Sequence, residues 1–486
     1  MDKNGRVVVS NWWDGMAKYP LLGHGLLRNV DVLTNPGVVS IAQDSALDFT
    51  PNGIIVAEVK ESGNIWSLSD NGSASVLYKN GTAVETGLAQ GRDMILFGDY
   101  LLITHGANVG AYGPLSSVSA AFFSALSGTG IDSTYNGKIL FGQDDIVYIT
   151  NGNSIASLTF SASGTPGVAP TATWNASALD LPAGHRATTL AELGRYLMIG
   201  TQTGASFAGL STEGRVYPWD RTSSSVNLPV LLNEDRVHQM CSHANRLYIL
   251  AGSKGNLYVT DTTNYQRIKK IPFTTYNNAA TLKALPNAMK MSVDGKLLIG
   301  TSTSTDNFPG STSKHGVWEI DVMDPKYPIS LKYTISTGNI GADQPLYIGS
   351  IIMVDQQRAR ISWQDGSSFG VDELQVEPYA SYGGVIESQL FQVGRQNHKK
   401  TFEHVEFTLS EPLVSGQGVR IKYRKNLSDS FTTIGTWDFA TYGGILSFED
   451  KALIADAEFI QLRTELNQDS GTSSEKNVNL IRVELW

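Results

Sequence analysis

His238, Cys241 and His243 form the densest group of metal-ligand residue types in the sequence. Zinc accepts imidazole nitrogen and thiolate sulfur, but protein zinc sites usually use four ligands. In an extended strand His238 and Cys241 would point to opposite faces, whereas Cys241 and His243 would share one. The glycine-rich turn Gly252–Gly255 also lacks the spacing of a phosphate-binding loop. We therefore predict no metal site and no cofactor.

Paired carboxylates would indicate a glycoside hydrolase, in which two acidic side chains flank the bond that is cut. The adjacent pairs Asp144–Asp145 and Asp372–Glu373 would point to opposite faces of a strand, so solvated turns explain them better. Fragments of the Ser-x-Asp-x-Gly-x-x-Trp turn of sialidases occur only at Ser69–Gly72 and Gln364–Phe369. No Ser-His-Asp order can be justified from sequence alone. We predict no catalytic residues, and a glycoside hydrolase is kept as an alternative.

A basic run stands out at residues 419–425 in a chain whose net charge is −9. Its period of two predicts a strand with three apolar side chains toward the core, namely Val419, Ile421 and Tyr423. The opposite face carries the basic side chains Arg420, Lys422 and Arg424. Either this face is solvated or it contacts an acidic partner subunit. The acidic net charge argues against a nucleic-acid coat, which needs a positive surface.

Short apolar runs bounded by turn residues recur along the chain and indicate a repeated structural unit. They are Gly53–Ala57, Tyr100–Thr104, Ile146–Thr150, Tyr196–Gly200, Leu247–Ala251, Leu297–Gly300 and, more weakly, Ala359–Trp363. The central copies follow a step of about 50 residues, and short-strand repeats of about 40 to 50 residues are typical of β-propeller blades. We predict an all-β protein with a propeller at residues 41–376. Seven blades fit best, with six or eight as alternatives.

From residue 377 the spacing changes. Runs at 385–393, 402–409, 419–423, 445–448, 459–466 and 478–485 read as strands separated by glycine-containing turns. About a hundred residues of alternating strands predict a C-terminal antiparallel β-sandwich or jelly roll at residues 377–486.

Composition agrees with many strands joined by tight turns, because charged residues make up only 17% and the chain holds 48 glycines. One cysteine excludes an intrachain disulfide. The N-terminus lacks the apolar core of a signal peptide, and no uncharged apolar run is long enough to span a membrane. We expect the protein to stay in a cytoplasm or to be assembled there into something larger.

Residues 1–40 do not fit the repeat and are predicted to form an extended arm. Trp12, Trp13 and Leu21 either pack across the propeller face or anchor a neighbouring subunit, since paired tryptophans are strong interface residues.

The segment from Gly25 to Val39, with Arg28-Asn29, Val30-Asp31 and Asn35-Pro36-Gly37, resembles the start of structural proteins from tailed-bacteriophage virions. The stretch Lys399–Phe402 is similar to the opening of the sandwich in phage tail proteins. This resemblance implies a virion protein assembled in the host cytoplasm. It would form a ring in the tail nozzle, hub or adaptor region, with partners that are copies of itself and neighbouring tail proteins. DNA passage past the ring is also implied. The alternative is a carbohydrate- or receptor-binding module that uses the long loops at 161–182 and 301–316.

Overall fold

The computed structural model describes residues 6–10, 26–34, 37–126, 130–132, 137–203, 213–261, 264–271, 282–303, 316–333, 346–356, 358–378, 383–394, 398–468 and 477–486. The predicted all-β class is confirmed, because strands account for nearly all of the regular structure. The described part of the chain contains one short helix, and no helix there is long and apolar enough to cross a membrane.

The first five strands are short and lie near the N-terminus. They are β1 (Val7–Val9), β2 (Leu26–Arg28), β3 (Val30–Asp31), β4 (Val39–Ile41) and β5 (Gln43–Phe49).

Five four-stranded antiparallel sheets follow in sequence order. The first contains β6 (Ile54–Glu61), β7 (Asn64–Asp70), β8 (Ala74–Lys79) and β9 (Thr82–Ala89). The second contains β10 (Gly91–Phe97), β11 (Tyr100–His105), β12 (Asn108–Gly113) and β13 (Ala121–Phe123). The third contains β14 (Ile139–Phe141), β15 (Val147–Asn151), β16 (Ser154–Ser161) and β17 (Thr171–Asp180). The fourth contains β18 (His185–Leu193), β19 (Tyr196–Thr203), β20 (Gly214–Trp219) and β21 (Val230–Glu234). The fifth contains β22 (Val237–His243), β23 (Arg246–Ala251), β24 (Asn256–Thr260) and β25 (Tyr265–Lys270).

Two further units continue the pattern. The first contains β26 (Leu282–Lys283), β27 (Met289–Met291), β28 (Lys296–Thr303), β29 (Gly316–Asp321) and β30 (Ile329–Tyr333). The second contains β31 (Leu346–Met353), β32 (Ala359–Asp365) and β33 (Ser368–Pro378), and it takes β5 as its outer strand. Strand β17 occupies residues that we predicted to be a long loop, so that part of the loop prediction is wrong.

The first strands of successive units contact one another in a closed order. The order is β6, β10, β14, β18, β22, β27 and β31, and β31 contacts β6 again. Buried apolar clusters lie between neighbouring sheets, and the cluster containing Ile55 and Val371 joins the last unit to the first. Many four-stranded sheets packed around a common centre make a propeller-like fold.

Tight hairpins set the register within these sheets. Asn80 and Gly81 connect β8 to β9 with φ of 48° and 78°, and Ala244 and Asn245 connect β22 to β23 with φ of 48° and 58°. Two successive residues with positive φ are the requirement of the type I′ turn, whose twist matches that of the flanking strands.

The C-terminal part supplies β34 (Gly384–Glu387), β35 (Phe391–Gln392), β36 (Lys400–Leu409), β37 (Gln417–Arg424), β38 (Thr432–Asp438), α1 (Phe439–Tyr442), β39 (Ser447–Ala457), β40 (Phe459–Gln468) and β41 (Asn479–Leu485). Strands β3, β4, β41, β36 and β39 form one sheet, with β1 paired to β41. Strands β34, β40, β37 and β38 belong to an eleven-stranded sheet that also includes β28, β29 and β30. One hydrophobic cluster, including Phe407, Val419 and Trp318, spans both sheets and the neighbouring repeat units.

Strand β2 connects the repeat units to the C-terminal part. It pairs in parallel with β30 through Arg28 and Leu331, and antiparallel with β34. Residues 1–40 were predicted to form an extended arm, and their described strands pair with β4, β30, β34 and β41. The predicted contact residues Trp12, Trp13 and Leu21 lie outside the described residues.

A buried charge cluster reinforces this join. Lys332 Nζ lies 2.8 Å from Glu319 Oε2 and 3.7 Å from Asp31 Oδ2. Burial opposes ionisation of Asp31, but the Lys332 ammonium and hydrogen bonds from Thr34 and Leu33 outweigh it and lower the Asp31 pKa to about 2. The N-terminal strand β3 is therefore tied by charge to Lys332 of β30, which also holds Glu319 of β29.

Candidate functional site in the central cavity

A cavity of about 420 Å³ lies at the centre of the ring of first strands. Its walls come from β6, β10, β14, β18, β22, β27 and β31, so residues far apart in sequence face one another. Three acidic residues line it: Glu58, Asp93 and Glu192. A concave site with convergent polar groups is the usual place for ligand binding or catalysis.

Asp93, Lys138 and Asn287 close one end of the cavity. Asn287 Nδ2 donates to Asp93 Oδ1 at 2.6 Å and to the backbone oxygen of Val56 at 2.9 Å. Lys138 Nζ lies 2.9 Å from Asp93 Oδ2 and also donates to Asn287 Oδ1. Asn287, from the sixth unit, thus bonds to residues of the first, second and third units, so this group crosses the centre of the ring where the first strands begin.

Glu58 is enclosed by donors. Ser67 Oγ and Ser350 Oγ donate to its two oxygens at 2.9 Å each, and Arg360 Nε lies 3.6 Å from Oε1. Its side chain has 0% exposure. Burial raises the Glu58 pKa, while the Arg360 guanidinium and the two hydroxyls oppose that rise. A carboxyl group without exposed surface cannot reach a substrate in the cavity.

Glu192 is also held in place. Its Oε1 accepts hydrogen bonds from Arg221 Nη2 and, at 3.0 Å, from the backbone N–H of Gln143. Arg221 Nε lies 3.9 Å from Asp144 Oδ2, and Tyr148 donates its hydroxyl to the same Asp144 oxygen. Each acid that lines the cavity therefore has a cationic partner. A hydrolytic pair needs one carboxyl group to give a proton and another to attack or activate water; this geometry provides no such free pair.

His238 and Cys241, two of the residues of metal-ligand type, have different surroundings in the structure. His238 is buried, and its Nε2 lies 3.2 Å from the backbone oxygen of Gly252. Cys241 lines the central cavity. His238 is therefore bonded within its own sheet, whereas Cys241 packs against the apolar cluster that contains Tyr248 and Met289 and also contributes to the cavity wall.

The acidic pair Asp372 and Glu373 is structural. Asp372 Oδ1 accepts from Trp363 Nε1 at 2.8 Å, whereas Glu373 pairs with Arg358 at 2.6 Å. The sialidase-like fragment at 69–72 is a turn in which Asp70 Oδ1 accepts the backbone N–H of Gly72.

The basic run on β37 has local acidic partners. Val419 and Ile421 are buried, in agreement with the predicted register. Lys422 Nζ lies 2.8 Å from Glu465 Oε1, and Arg420 Nη1 lies 3.6 Å from Glu465 Oε2 on the adjacent strand β40. Arg424, predicted to face outward, is only 6% exposed. It donates to Gln461 Oε1 at 2.7 Å and its guanidinium lies 4.4 Å from the ring centre of Phe431.

Replacing Glu465 by glutamine should test this charge arrangement. Arg463 Nε also lies 3.0 Å from Glu465 Oε1, so three cations would lose a half-buried counter-charge. We expect a loss of about 1–2 kcal/mol in the free energy of unfolding at low salt, and a smaller loss at about 1 M salt, because salt screens the remaining repulsion. Urea denaturation of Glu465→Gln measures this. Glu411→Gln, on an exposed residue, is the control; equal losses in both variants would contradict the assignment.

Sequence reasoning missed the Asp93, Lys138 and Asn287 group. Its members come from different units, and Asn287 is 194 positions from Asp93. The one available signal was a single aspartate at the start of the mainly apolar stretch Asp93–Phe97 of β10. Its role can be recognised only when the fold brings Lys138 and Asn287 next to it.

No protein-family model matches the sequence, and no curated protein matches it. Among solved structures, the chain is similar to a computationally designed protein called Ika8, with 9% identity, a TM-score of 0.39, and coverage of 68% of this chain and 99% of that one. It is similar to the extracellular domain of a hybrid two-component system from B. thetaiotaomicron, with 13% identity and a TM-score of 0.44. That match covers 77% of this chain but only 44% of the other. It is also similar to an exo-β-1,3-galactanase from Phanerochaete chrysosporium, with 8% identity, a TM-score of 0.28, and coverage of 92% and 100%. All three TM-scores are below 0.5, so these similarities assign no function.

Proposed function

We propose that this chain is a structural subunit of a tailed-phage tail, built as a seven-bladed propeller with a C-terminal β-sandwich and assembled with other copies into a ring. The observation that carries the proposal is the eleven-stranded sheet, which joins a repeat unit to the C-terminal strands through β2. A shared sheet and a buried charge cluster make the two parts one unit that can hold a fixed position in an assembly. The resemblance at residues 25–39 and 399–402 supplies the virion context.

The central cavity supports a role without catalysis. Glu58, Asp93 and Glu192 are each committed to a cation and to hydrogen-bond donors. A glycoside hydrolase, the alternative class, would need at least two of these carboxyl groups free. In the proposed ring, DNA would pass along the axis between subunits, because Asp93, Lys138 and Asn287 close the channel within one subunit.

Subunit contacts in this proposal come from Trp12, Trp13 and Leu21, with the face carrying Arg420 and Lys422 as a second contact. Arg424 is assigned to the interior of its own domain, because its guanidinium is already bonded to Gln461 and Leu427.

The mass of the purified full-length protein tests assembly directly. Light scattering and electron microscopy over a range of concentrations should show rings whose mass is a whole-number multiple of the chain mass. The double variant Trp12→Ala, Trp13→Ala should shift the population toward monomer, whereas Glu411→Gln should not. A protein that stays monomeric at every concentration and releases sugar from a glycan would contradict the proposal and favour the hydrolase.

A further inference from the structure

We propose that the side chains of Lys138 and Asn287 become joined by an amide bond, with Asp93 moving the protons. The two residues are 149 positions apart in the sequence, so the bond is a covalent link through the centre of the ring, between the third and the sixth unit. This inference uses only the geometry within one chain and does not depend on assembly with other copies.

The attacking nitrogen and its target are in contact. Lys138 Nζ donates a hydrogen bond to Asn287 Oδ1, and a carbonyl bond is only about 1.2 Å long. The lysine nitrogen therefore lies next to Cγ, the carbonyl carbon of the Asn287 side chain. Holding two reacting groups together in this way replaces a bimolecular encounter and removes a large part of the barrier.

The Asn287 amide is fixed by groups from other units. Its Nδ2 donates to the backbone oxygen of Val56 at 2.9 Å. Its own backbone oxygen accepts the N–H of Ile351 at 3.0 Å. These bonds hold the residue in place and turn the Nδ2 end of the amide away from Lys138, so that the carbonyl group faces the lysine.

Asp93 contacts both nitrogen atoms that exchange protons. Its Oδ2 lies 2.9 Å from Lys138 Nζ, and its Oδ1 accepts from Asn287 Nδ2 at 2.6 Å. The Asp93 side chain is 2% exposed and that of Lys138 is 15% exposed. Transfer of the lysine proton to Asp93 turns a desolvated ion pair into two neutral groups, which burial favours. One carboxyl group can therefore serve the attacking and the leaving nitrogen in turn.

The ion pair is the arrangement before reaction, and the steps that follow are balanced. Asp93 takes a proton from the Lys138 ammonium, and the freed electron pair of Nζ forms a bond to Asn287 Cγ. The carbonyl electrons move to Oδ1, and Asp93 passes its proton to Nδ2. The carbonyl group then re-forms, the Cγ–Nδ2 bond breaks and ammonia leaves. Nζ loses its surplus proton to the ammonia, which departs as ammonium. The reaction needs no oxidant and no co-substrate.

The mass of the full-length protein tests the proposal. We expect an intact mass about 17 Da below the sequence mass, because one ammonia is lost. A tryptic digest should contain a branched peptide that joins residues 284–290 to the segment with Lys138, since trypsin does not cut after an acylated lysine. Cyclisation of an asparagine elsewhere would also release ammonia. An unchanged mass, or a loss of ammonia without the branched peptide, would therefore overturn the proposal.

Lys138→Arg is the informative variant. It keeps a positive charge beside Asp93, but a guanidinium group does not attack an amide, so the protein should have its full sequence mass. Lys422→Arg is the matched control, because Lys422 is also paired with a carboxylate, at 2.8 Å from Glu465, and it should still lose ammonia. Retention of the ammonia loss in Lys138→Arg would contradict the assignment. Circular dichroism checks folding of both variants, and the branched peptide of the unmodified sequence decides the question if Lys138→Arg does not fold.

Discussion

Replacing Asp93 by alanine is expected to lower the free energy of unfolding by about 3–5 kcal/mol, because removing one member of a buried ion pair leaves its partner uncompensated. The Asp93 side chain is 2% exposed and Lys138 is 15% exposed. The substitution also strands the backbone N–H of Ile139, which donates to Asp93 Oδ2 at 2.9 Å. An unsatisfied buried donor adds its own desolvation cost. Urea denaturation followed by tryptophan fluorescence measures the change.

Asp180→Ala is the matched control. Asp180 is exposed and accepts one hydrogen bond, from Ser177 Oγ at 2.6 Å, so its loss should cost no more than about 1 kcal/mol. The double variant Asp93→Ala, Lys138→Met should recover part of the stability lost in Asp93→Ala, since the stranded ammonium is removed with its partner. If Asp93→Ala and Asp180→Ala destabilise equally, the cross-ring group does not hold the units together.

The repeat could be found in the sequence because of where its most apolar strand lies. Six of the seven apolar runs are second strands of their units, namely β11, β15, β19, β23, β28 and β32. A second strand pairs on both edges and is packed on both faces by neighbouring sheets, so it reads as a continuous apolar run. The apolar run depends only on the burial of the second strand. It can therefore be detected even where the loops between strands differ greatly in length.

The first unit departs from this rule for a physical reason. Its apolar run, Gly53–Ala57, falls mainly in the first strand β6. The second strand β7 buries Ser67 and Ser69, whose hydroxyls donate to Glu58 and Asn52. A strand whose buried polar groups are satisfied by neighbours needs no apolar run, so local periodicity cannot identify it.

The pairing of strands that lie far apart in the chain could not be predicted from the sequence. Strand β5 closes the last unit by pairing with β33, more than 300 residues later. Strand β17 was predicted to be a loop because residues 161–182 are rich in Ser, Thr, Gly and Pro, but an edge strand with exposed alternate residues tolerates that composition. The partners of Glu58 and Asp93 also come from other units, far away in the sequence. The three-dimensional structure is therefore needed to show which acidic side chains are paired with cations.

Acidification should destabilise the protein through His238. This imidazole is 6% exposed, and burial, with a smaller contribution from the Arg236 charge, lowers its pKa to about 4. In the unfolded chain a histidine titrates near 6.5. The unfolded state therefore binds a proton first as the pH falls. Stability is fully present above pH 6.5 and is lost as the pH falls toward 4, by roughly 3 kcal/mol in total.

His238→Gln separates this contribution from other acid effects. A glutamine amide can donate to the Gly252 oxygen, as the neutral imidazole does at 3.2 Å, but it cannot take up the proton. The difference in unfolding free energy between pH 7 and pH 4.5 should shrink by about 2 to 2.5 kcal/mol in this variant. Asn153→Gln, on an exposed residue without an ionisable group, should retain the full difference. His105 and His185 also have pKa values lowered by burial, so a smaller acid dependence should persist in His238→Gln. An unchanged pH dependence in His238→Gln would show that this buried imidazole does not limit stability in acid.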